Sequence, residues 1–246
     1  MIEIKLNEGE RLDDLMKSGR RIIQIENEFC FSMDSVLLAH YPKIKRKYRI
    51  LDLGTGTGVI PLLIADEAEH IDAIELNPKM AETAKRNVKI NALEEKISVI
   101  EGDYRNLKKY FKAESFDLVT ANPPYRAIGS GAVNETEGVA TARHEFTATL
   151  EDVIKAARFA LKYHGKFCMI HITERLCEII ETLHRHQFEL KRLRLIQPKI
   201  SKEPNLMLTE AMVGGAGNSL KIEKPLTVHN EDGTYSDEIK KIYGLE

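Results

Sequence analysis

From residue 48 onward, short apolar runs alternate with amphipathic stretches. Apolar runs that end in glycine or an acid, separated by helical stretches, predict parallel strands joined by crossover helices. Seven strands are predicted, at residues 49–53, 71–75, 97–101, 116–121, 165–172, 188–196 and 207–213. Helices are predicted between them at residues 58–68, 78–91, 150–161 and 174–186. Because the connection between the last two strands has no room for a helix, these strands are expected to form an antiparallel hairpin at a sheet edge.

The first 47 residues are less regular and are predicted to form a short extension that packs on a core domain of residues 48–246. Residues 20–25 and 28–31 alternate enough to predict a hairpin. Polar residues then precede an apolar run, which is an N-cap signal. A helix is therefore expected to begin near Asp34.

The composition is that of an ordinary globular protein, with 246 residues, 43% of them hydrophobic and 30% charged, and a formal net charge of −2. Near-neutral charge argues against a protein that coats nucleic acid indiscriminately, although cations cluster at residues 43–49 and 191–202. The amino end lacks a secretory pattern, and the longest apolar run, residues 59–65, is too short to span a bilayer. A cytoplasmic protein without a membrane partner is therefore expected. Three cysteines without motif spacing are expected to be buried thiols: Cys30, Cys168 and Cys177.

Three alternating glycines, Gly54, Gly56 and Gly58, follow the first predicted strand of the core. Glycines at a strand-to-helix turn let the backbone bend tightly and approach a ligand at the carboxyl edge of a parallel sheet. The dinucleotide pattern needs its third glycine one residue later, where Val59 stands, and no Lys-Ser or Lys-Thr pair follows as in a phosphate-binding loop. On the sequence alone, a dinucleotide-binding turn and a turn that serves only packing both remain possible. The spacing of the glycines favours a ligand other than a dinucleotide.

Acidic residues end the next two predicted strands. Glu75 lies where such folds place a carboxylate that binds both ribose hydroxyls, and Asp103 lies where a carboxylate can meet an adenine amino group. Either acid alone could equally be a solvated or helix-capping residue. Together with Asp52, and with no Lys or Arg in residues 54–65, they suit a cationic sulfonium better than a pyrophosphate.

The fourth predicted strand ends at the sequence Asn122-Pro123-Pro124-Tyr125. Two prolines remove two backbone donors and fix two φ angles, so the strand stops at a rigid turn. The turn offers acceptors, namely the Asn122 side-chain oxygen and the carbonyls beside Pro123. Such a site suits a planar amino group, with Tyr125 stacked on the base that carries it. A core position for Tyr125 is the alternative.

These motifs, in this order, resemble those of class I S-adenosylmethionine-dependent amino methyltransferases. The resemblance implies a Rossmann-like α/β fold, with a seven-stranded, mostly parallel sheet that ends in an antiparallel hairpin. Residues 31–39, Ala142-Arg143-His144-Glu145, and residues 191–194 with Pro198-Lys199 extend it over nearly the whole chain. They resemble the bacterial tRNA (adenine-N6) methyltransferase family that modifies the adenine next to the anticodon of a valine tRNA. The resemblance implies S-adenosylmethionine as cofactor and tRNA as substrate and partner.

The motifs and the resemblance together give three groups of candidate site residues. Cofactor binding is expected from Asp34, Asp52, Gly54, Thr55, Gly56, Gly58, Glu75, Leu76, Asp103, Tyr104 and Asn122. Catalytic roles in holding the amino group are expected for Asn122, Pro123 and Tyr125. RNA contacts are expected at Arg143, His144, Lys191, Arg192, Arg194 and Lys199, with an ordinary solvated surface as the alternative.

Two further expectations concern the surroundings of this site. No metal site is expected, because His184 and His186 do not face each other on their predicted helix. Residues 126–141 hold several glycines and few apolar residues, so they are expected to form a mobile loop that closes over substrate.

Other activities stay open on the sequence. A glutamine side chain of a release factor presents the same amino group, although that family usually carries a longer helical domain ahead of the glycines. A guanine of ribosomal RNA or an adenine of DNA also fits the acceptors. A non-catalytic module that keeps the nucleotide pocket is the alternative of a different class, and the intact Asn122 and Tyr125 count against it.

Overall fold

The computed structural model describes residues 4–15, 19–26, 32–125, 148–215, 217 and 219–245. In chain order the strands are β1 (Glu10–Asp14), β2 (Arg21–Ile25), β3 (Arg49–Leu53), β4 (His70–Glu75), β5 (Ile97–Glu101), β6 (Phe116–Ala121), β7 (Leu161–Ile172), β8 (Phe188–Gln197), β9 (Leu206–Val213), β10 (Lys221–Ile222) and β11 (Leu226–Thr227). The α-helices are α1 (Met33–His40), α2 (Val59–Ile64), α3 (Pro78–Ile90), α4 (Leu150–Ala160), α5 (Leu176–Arg185) and α6 (Asp237–Tyr243), with 3₁₀ turns at Tyr104–Lys109 and Thr173–Arg175. None of the described helices is long and apolar enough to cross a bilayer.

One sheet dominates the fold, with the strand order β10-β8-β9-β7-β6-β3-β4-β5, and β11 also pairs with β8. Strands β3 to β7 are mutually parallel, whereas β9 lies antiparallel between β7 and β8. The predicted seven-stranded, mostly parallel arrangement with its closing hairpin is therefore confirmed. Because β3 has β4 on one side and β6 on the other, the winding reverses at β3 and the carboxyl ends of these strands open a crevice.

Two apolar cores cover the two faces of this sheet, since side chains alternate along each strand. Ile50 of β3 packs in one core with residues of α1, α2, α3 and α6. Leu51 and Leu53 of the same strand pack in the other core with residues of α4 and α5. Burial on both faces explains why the central strands appear as continuous apolar runs in the sequence.

The amino-terminal segment packs on the core, and its described strand pair differs from the hairpin that the sequence predicts. β2 pairs with β1, a strand that the sequence pattern does not reveal. The second strand of the predicted hairpin, residues 28–31, lies outside the described residues. The buried Asn87 of α3 holds β2 in place, because its Oδ1 accepts from the Ile23 amide at 2.6 Å and its Nδ2 donates to the Ile23 carbonyl at 3.0 Å. α1 begins at Met33, close to its predicted start.

Other boundaries and environments differ from expectation. α2 ends at Ile64, before the predicted end at residue 68. The predicted edge hairpin is not an open edge, because β10 and β11 add to the outer side of β8. Each of these strands has two residues, too few for an apolar pattern to show. Cys168 is buried as predicted, but the prediction is wrong for Cys177, which is exposed; Cys30 lies outside the described residues.

Candidate active site

A cavity of about 200 Å³ opens at the carboxyl edge of the sheet. Its lining comes from the ends of β3, β4 and β6, from the turn after β5 and from the beginning of α4. The lining residues are Leu53, Gly54, Glu75, Leu76, Asp103, Tyr104, Arg105, Asn122, Pro123, Pro124, Ala148 and Val153. The crevice beside the strand where the winding reverses is the place at which open α/β sheets bind ligands.

The turn between β3 and α2 requires its glycines for reasons of backbone geometry. Gly54, Gly56 and Gly58 have φ angles of +68°, +58° and +88°, in the left-handed region. Gly58 is also the N-cap of α2, and a Cβ built there would lie 3.5 Å from the Cβ of Ala84 on α3. Only Gly54 of the three lines the cavity, so Gly56 and Gly58 act through the shape of the turn.

Glu75 joins this turn to the end of β4. Its Oε2 accepts a hydrogen bond from the Gly56 amide at 2.8 Å, and its Oε1 accepts one from the Asn77 amide at 2.9 Å. Glu75 and Leu76 both line the cavity. A carboxylate that is fixed at both oxygens keeps further lone pairs for the hydroxyls of a ribose.

Asp52 lies beneath the turn, only 1% exposed, and does not belong to the cavity lining. Its Oδ1 accepts from the Thr120 hydroxyl at 2.6 Å. Its Oδ2 and the Thr55 hydroxyl are buried and make no hydrogen bond of good geometry among the described residues, although Thr55 lies close enough to lower the pKa of Asp52. Burial raises the pKa of Asp52 to about 7, against the lowering effects of the Thr120 and Thr55 hydroxyls. Unpaired buried oxygens of this kind are groups that a polar ligand or a water molecule can satisfy.

Asp103 lines the cavity but already has an intramolecular partner in Arg105. The Nε of Arg105 donates to both carboxylate oxygens at 3.0 and 2.8 Å, and its Nη2 lies 2.7 Å from Oδ2. This interaction lowers the pKa of Asp103 and keeps the carboxylate ionised. Burial raises the pKa of the neighbouring Tyr104 above its usual range, so the phenol stays neutral. Arg105 belongs to none of the predicted motifs, although its spacing of two residues from Asp103 is a usable signal.

α1 holds the turn that follows β6. The Nδ2 of Asn122 donates to the Oγ of Ser35 at 3.0 Å, and Ser35 is 7% exposed. One of the two N–H groups of the amide is therefore used, and Oδ1 stays available as an acceptor apart from a long 3.4 Å contact with the Tyr125 hydroxyl. In the sequence, Ser35 stands out only as part of a helix-capping signal.

The residue before Ser35 holds the other end of the same turn. The Tyr125 hydroxyl donates to Oδ2 of Asp34 at 2.5 Å. Burial, together with this hydrogen bond, raises the pKa of Tyr125 above its usual range, so the phenol is neutral. Asp34 lies in the first turn of α1, whose N-cap is Ser32, and it is not part of the cavity lining.

His171 and Arg175, at and just after the end of β7, also contact Tyr125. The His171 ring centroid lies 5.2 Å from that of Tyr125, and the Arg175 Nη1 donates to the Tyr125 carbonyl at 3.3 Å. Arg175 is itself fixed by an ion pair with Glu178. Burial lowers the pKa of His171 to about 4, so the ring is neutral, with its Nδ1 accepting from the Ile172 amide at 2.9 Å. No short motif marks either residue, since both meet Tyr125 only in the fold.

Two of the predicted RNA contacts are used within the protein. Arg192 pairs with Glu210 and Glu223 at 2.8 and 3.0 Å, and its guanidinium lies 4.3 Å from the centre of the Tyr41 ring. Arg194 pairs with Glu238 at 2.7 Å. The sequence predicts that both arginines contact RNA, but both have acidic partners within the protein instead of an open cationic surface. Two of the acidic partners come from the carboxyl-terminal segment, for which the sequence pattern predicts no structure.

The remaining predicted cations lie on the surface or beyond the described part of the chain. Lys191 donates to the Ser219 hydroxyl at 2.7 Å, and Lys199 donates to the Glu231 carbonyl at 2.9 Å. Arg143, His144 and the loop of residues 126–141 lie outside the described residues. Within the described ranges, no three His, Cys, Asp or Glu side chains are grouped so that they could hold a metal ion.

The glycine turn, the cavity at the carboxyl edge and the Asn-Pro-Pro-Tyr turn at the end of the neighbouring strand define a class I methyltransferase. The chain belongs to the Methyltransferase small domain family, whose model matches residues 32–190. The predicted family, and with it a methyl-transferring enzyme, is confirmed.

Curated relatives match over most of their length. A tRNA1(Val) (adenine(37)-N6)-methyltransferase of Tolumonas auensis is 30% identical over 210 residues, which cover 83% of this chain and 84% of the relative. The protein of the same name in Aliivibrio salmonicida is 28% identical, with coverage of 85% and 87%.

Solved structures agree on the fold. A predicted O-methyltransferase of Agrobacterium tumefaciens aligns with a TM-score of 0.70 at 25% identity, covering 86% of this chain and 96% of that one. A tRNA m1G37 methyltransferase of M. jannaschii aligns with a TM-score of 0.60 at 18% identity, covering 87% and 59% respectively.

Proposed function

We propose that this protein transfers the methyl group of S-adenosylmethionine to N6 of an adenine in tRNA, next to the anticodon of a valine tRNA. The names of the relatives, which match over more than four fifths of both chains, support this substrate. The observation in this chain that carries the proposal is the orientation of Asn122. Its amide nitrogen donates one hydrogen to Ser35, which fixes the orientation of the amide and leaves the oxygen as the acceptor for an incoming amino group.

The residues around the cavity fit S-adenosylmethionine. Glu75 offers its carboxylate to the ribose, and Asp103 offers lone pairs to the adenine amino group. The unpaired oxygens of Asp52 and Thr55 can accept from the amino end of the donor or from a water molecule that it holds. When bound, S-adenosylmethionine supplies an electrophilic methyl group on a sulfonium, and a site lined by carboxylates favours that positive charge.

The acceptors of the turn compensate for a poor nucleophile. The lone pair of an adenine amino nitrogen is delocalised into the ring, which lowers its reactivity. Asn122 Oδ1 and the Pro123 carbonyl would accept the two amino hydrogens and favour a pyramidal nitrogen with its lone pair free. Each such bond contributes about 1–3 kcal/mol in a site that excludes water.

Proton removal needs no strong base in this scheme. A methylated amino nitrogen is strongly acidic and loses its proton to solvent readily. His171, with a pKa of about 4, is a weak base and takes no part in proton transfer. The remaining contribution is positional, because Asp34, His171 and Arg175 fix Tyr125 for stacking on a base swung out of its loop.

Lys191 and Lys199 are proposed to contact phosphates of the RNA. Arg143 and His144, for which the sequence predicts RNA contacts, are proposed to do the same. Arg192 and Arg194 are left out, since acidic side chains already neutralise them. Removing any one of these phosphate contacts is expected to lower the salt dependence of binding.

The test is methyl transfer from labelled S-adenosylmethionine to separate pools of tRNA, ribosomal RNA, DNA and release factor. Label recovered as N6-methyladenosine from tRNA, and lost in Asn122→Ala while S-adenosylhomocysteine still binds, supports the proposal. Label in the release factor pool would point to glutamine methylation instead. Donor binding without transfer to any pool would favour the non-catalytic module.

A further inference from the structure

The tip of the β8–β9 hairpin, residues 198–205, emerges at the same edge of the sheet as the candidate active site. β7 runs toward this edge, and Ile172 at its end pairs with the first residue of the antiparallel β9. The Thr173 amide then donates to the Asn205 carbonyl at 3.1 Å. Thr173 begins the 3₁₀ turn that carries Arg175, so the hairpin tip is tied to the residues that hold the Asn-Pro-Pro-Tyr turn.

The carboxyl-terminal segment is bound to this tip and then packs against α1, the helix that contains Asp34 and Ser35. The His229 amide donates to the Pro198 carbonyl at 2.9 Å. α6 packs against α1, and Tyr243 packs against the same apolar core as Met33. Burial raises the pKa of Tyr243 to about 12, with smaller contributions from Tyr235 and then from the charge of Asp34.

Three aromatic rings of this segment form a stack. The ring centroids of His229 and Tyr235 are 5.1 Å apart, and those of Tyr235 and Tyr243 are 5.9 Å apart. The interplanar angles are 22° and 5°, and all three residues are partly exposed. Nearly parallel, partly exposed rings beside a site that takes an extruded base are suited to stacking with further unpaired bases.

The hairpin tip adds an apolar group between two cations. Ile200 is 75% exposed, and Lys199 and Lys202 stand on either side of it in the chain. Lys202 makes no ion pair with any residue that the structure describes. The acidic Glu231 and Asp232 lie nearby, since Lys199 bonds to the Glu231 carbonyl and its charge reaches Asp232, so the surface is of mixed sign. Stacking and apolar contact, rather than net charge, therefore decide what it can bind.

These residues form one surface, the C-terminal platform, made of His229, Tyr235, Tyr243, Lys199, Ile200 and Lys202. We propose that the C-terminal platform binds the unpaired nucleotides that flank the target adenine in its RNA loop. The inference rests on the proposed function, since it takes the substrate to be an RNA loop. The competing explanation is that the stack only packs the carboxyl-terminal segment onto α1.

The test compares Tyr235→Leu with Tyr235→Phe, because leucine removes the middle ring and phenylalanine keeps it. Affinity for a stem-loop RNA with an unpaired adenine is measured by fluorescence anisotropy with S-adenosylhomocysteine saturating. We expect Tyr235→Leu to bind about 5- to 100-fold more weakly and Tyr235→Phe to bind like wild type. The affinity for S-adenosylhomocysteine should not change in either variant. Equal RNA binding by wild type and a folded Tyr235→Leu overturns the platform.

Salt dependence separates stacking from phosphate binding. Tyr235→Leu should leave the slope of log affinity against log salt unchanged, whereas Lys202→Gln should reduce it by about 0.7 for each phosphate that the protein no longer neutralises. If the slope for Lys202→Gln equals that for wild type, Lys202 neutralises no phosphate and the hairpin tip is not part of the C-terminal platform.

Cross-linking covers the case in which Tyr235→Leu does not fold. RNA carrying 4-thiouridine beside the target adenine is cross-linked to the wild-type protein, and the attached peptides are mapped by mass spectrometry. Attachment within residues 198–205 or 229–243 supports the platform, and attachment confined to other segments overturns it. A wild-type protein that methylates no RNA overturns the proposed function and the platform together, whereas RNA methylation with unchanged binding by Tyr235→Leu overturns the platform alone.

Discussion

Removing the hydroxyl of Tyr125 is the sharpest test of how the active-site turn is held. Tyr125→Phe keeps the ring beside His171 and deletes the donor of the 2.5 Å hydrogen bond to Asp34, along with the long 3.4 Å contact to Asn122. The backbone bond from Arg175 to the Tyr125 carbonyl is also preserved. The substitution therefore isolates one contact between α1 and the turn.

The size of the effect follows from the type of bond and its exposure. A hydrogen bond to a charged group contributes about 1.5–3 kcal/mol. Because both side chains are only partly buried, water can replace the missing donor, and the lower half of that range applies. We expect kcat/KM for tRNA to fall about 10- to 50-fold. The affinity for S-adenosylhomocysteine should stay the same, since neither residue lines the cavity that we propose binds the methyl donor.

Transfer of labelled methyl to a tRNA transcript at saturating donor measures this effect. In an Asp34→Asn background, Tyr125→Phe should cost much less, because the partner charge is already gone. Activity of Tyr125→Phe within twofold of wild type would refute the reasoning. Equal losses in both backgrounds would show that the hydroxyl acts elsewhere.

Three further predictions concern other parts of the site. Arg175→Met should lower kcat about tenfold without changing the affinity for S-adenosylmethionine, because it removes the charged group that donates a hydrogen bond to the Tyr125 carbonyl. Steady-state kinetics in which only KM changes would contradict this. Gly58→Ala should lower the Tm by about 3–8 °C in thermal unfolding, since alanine is strained at φ +88°, whereas the control Gly217→Ala, which meets nothing within 4 Å, should not. The folded-state pKa of Asp52 is raised to about 7, so the folded protein holds that proton more tightly than the unfolded chain and stability falls as pH rises from about 4 through 7. Asp52→Asn should flatten that slope and raise the Tm at pH 8 by a few degrees; a Tm profile parallel to wild type would contradict it.

The fold could be predicted largely because its strands are buried on both faces. β3, β5 and β6 begin and end where the apolar runs do, and their order along the chain with intervening helices leaves few topologies. The segments that escaped prediction lack such a pattern. β1 mixes charged and apolar residues, and β10 and β11 have two residues each, so their places depend on the strands that they pair with.

The residues of the candidate site also fall into those whose positions the sequence predicts and those whose contacts it does not. The places of Gly54, Glu75 and Asp103 in the cavity could be predicted because each lies at or just after the end of a strand that is visible in the sequence. The ion pair of Arg192 with Glu223 could not be predicted, because the charge of Arg192 is visible locally and its partner is not. Contacts between distant segments decide whether a cation faces solvent, and no local pattern carries that information.

The sharpest example is the contact between α1 and the turn after β6. Asp34 and Ser35 are adjacent in the chain, and each holds a different residue of the turn, Tyr125 and Asn122, across 91 and 87 positions of sequence. The predicted division at residues 47 and 48 therefore separates the acceptor turn from the two side chains that orient it. Because Ser35 binds the Asn122 amide, we expect changes in the amino-terminal extension to alter methyl transfer through the acceptor turn.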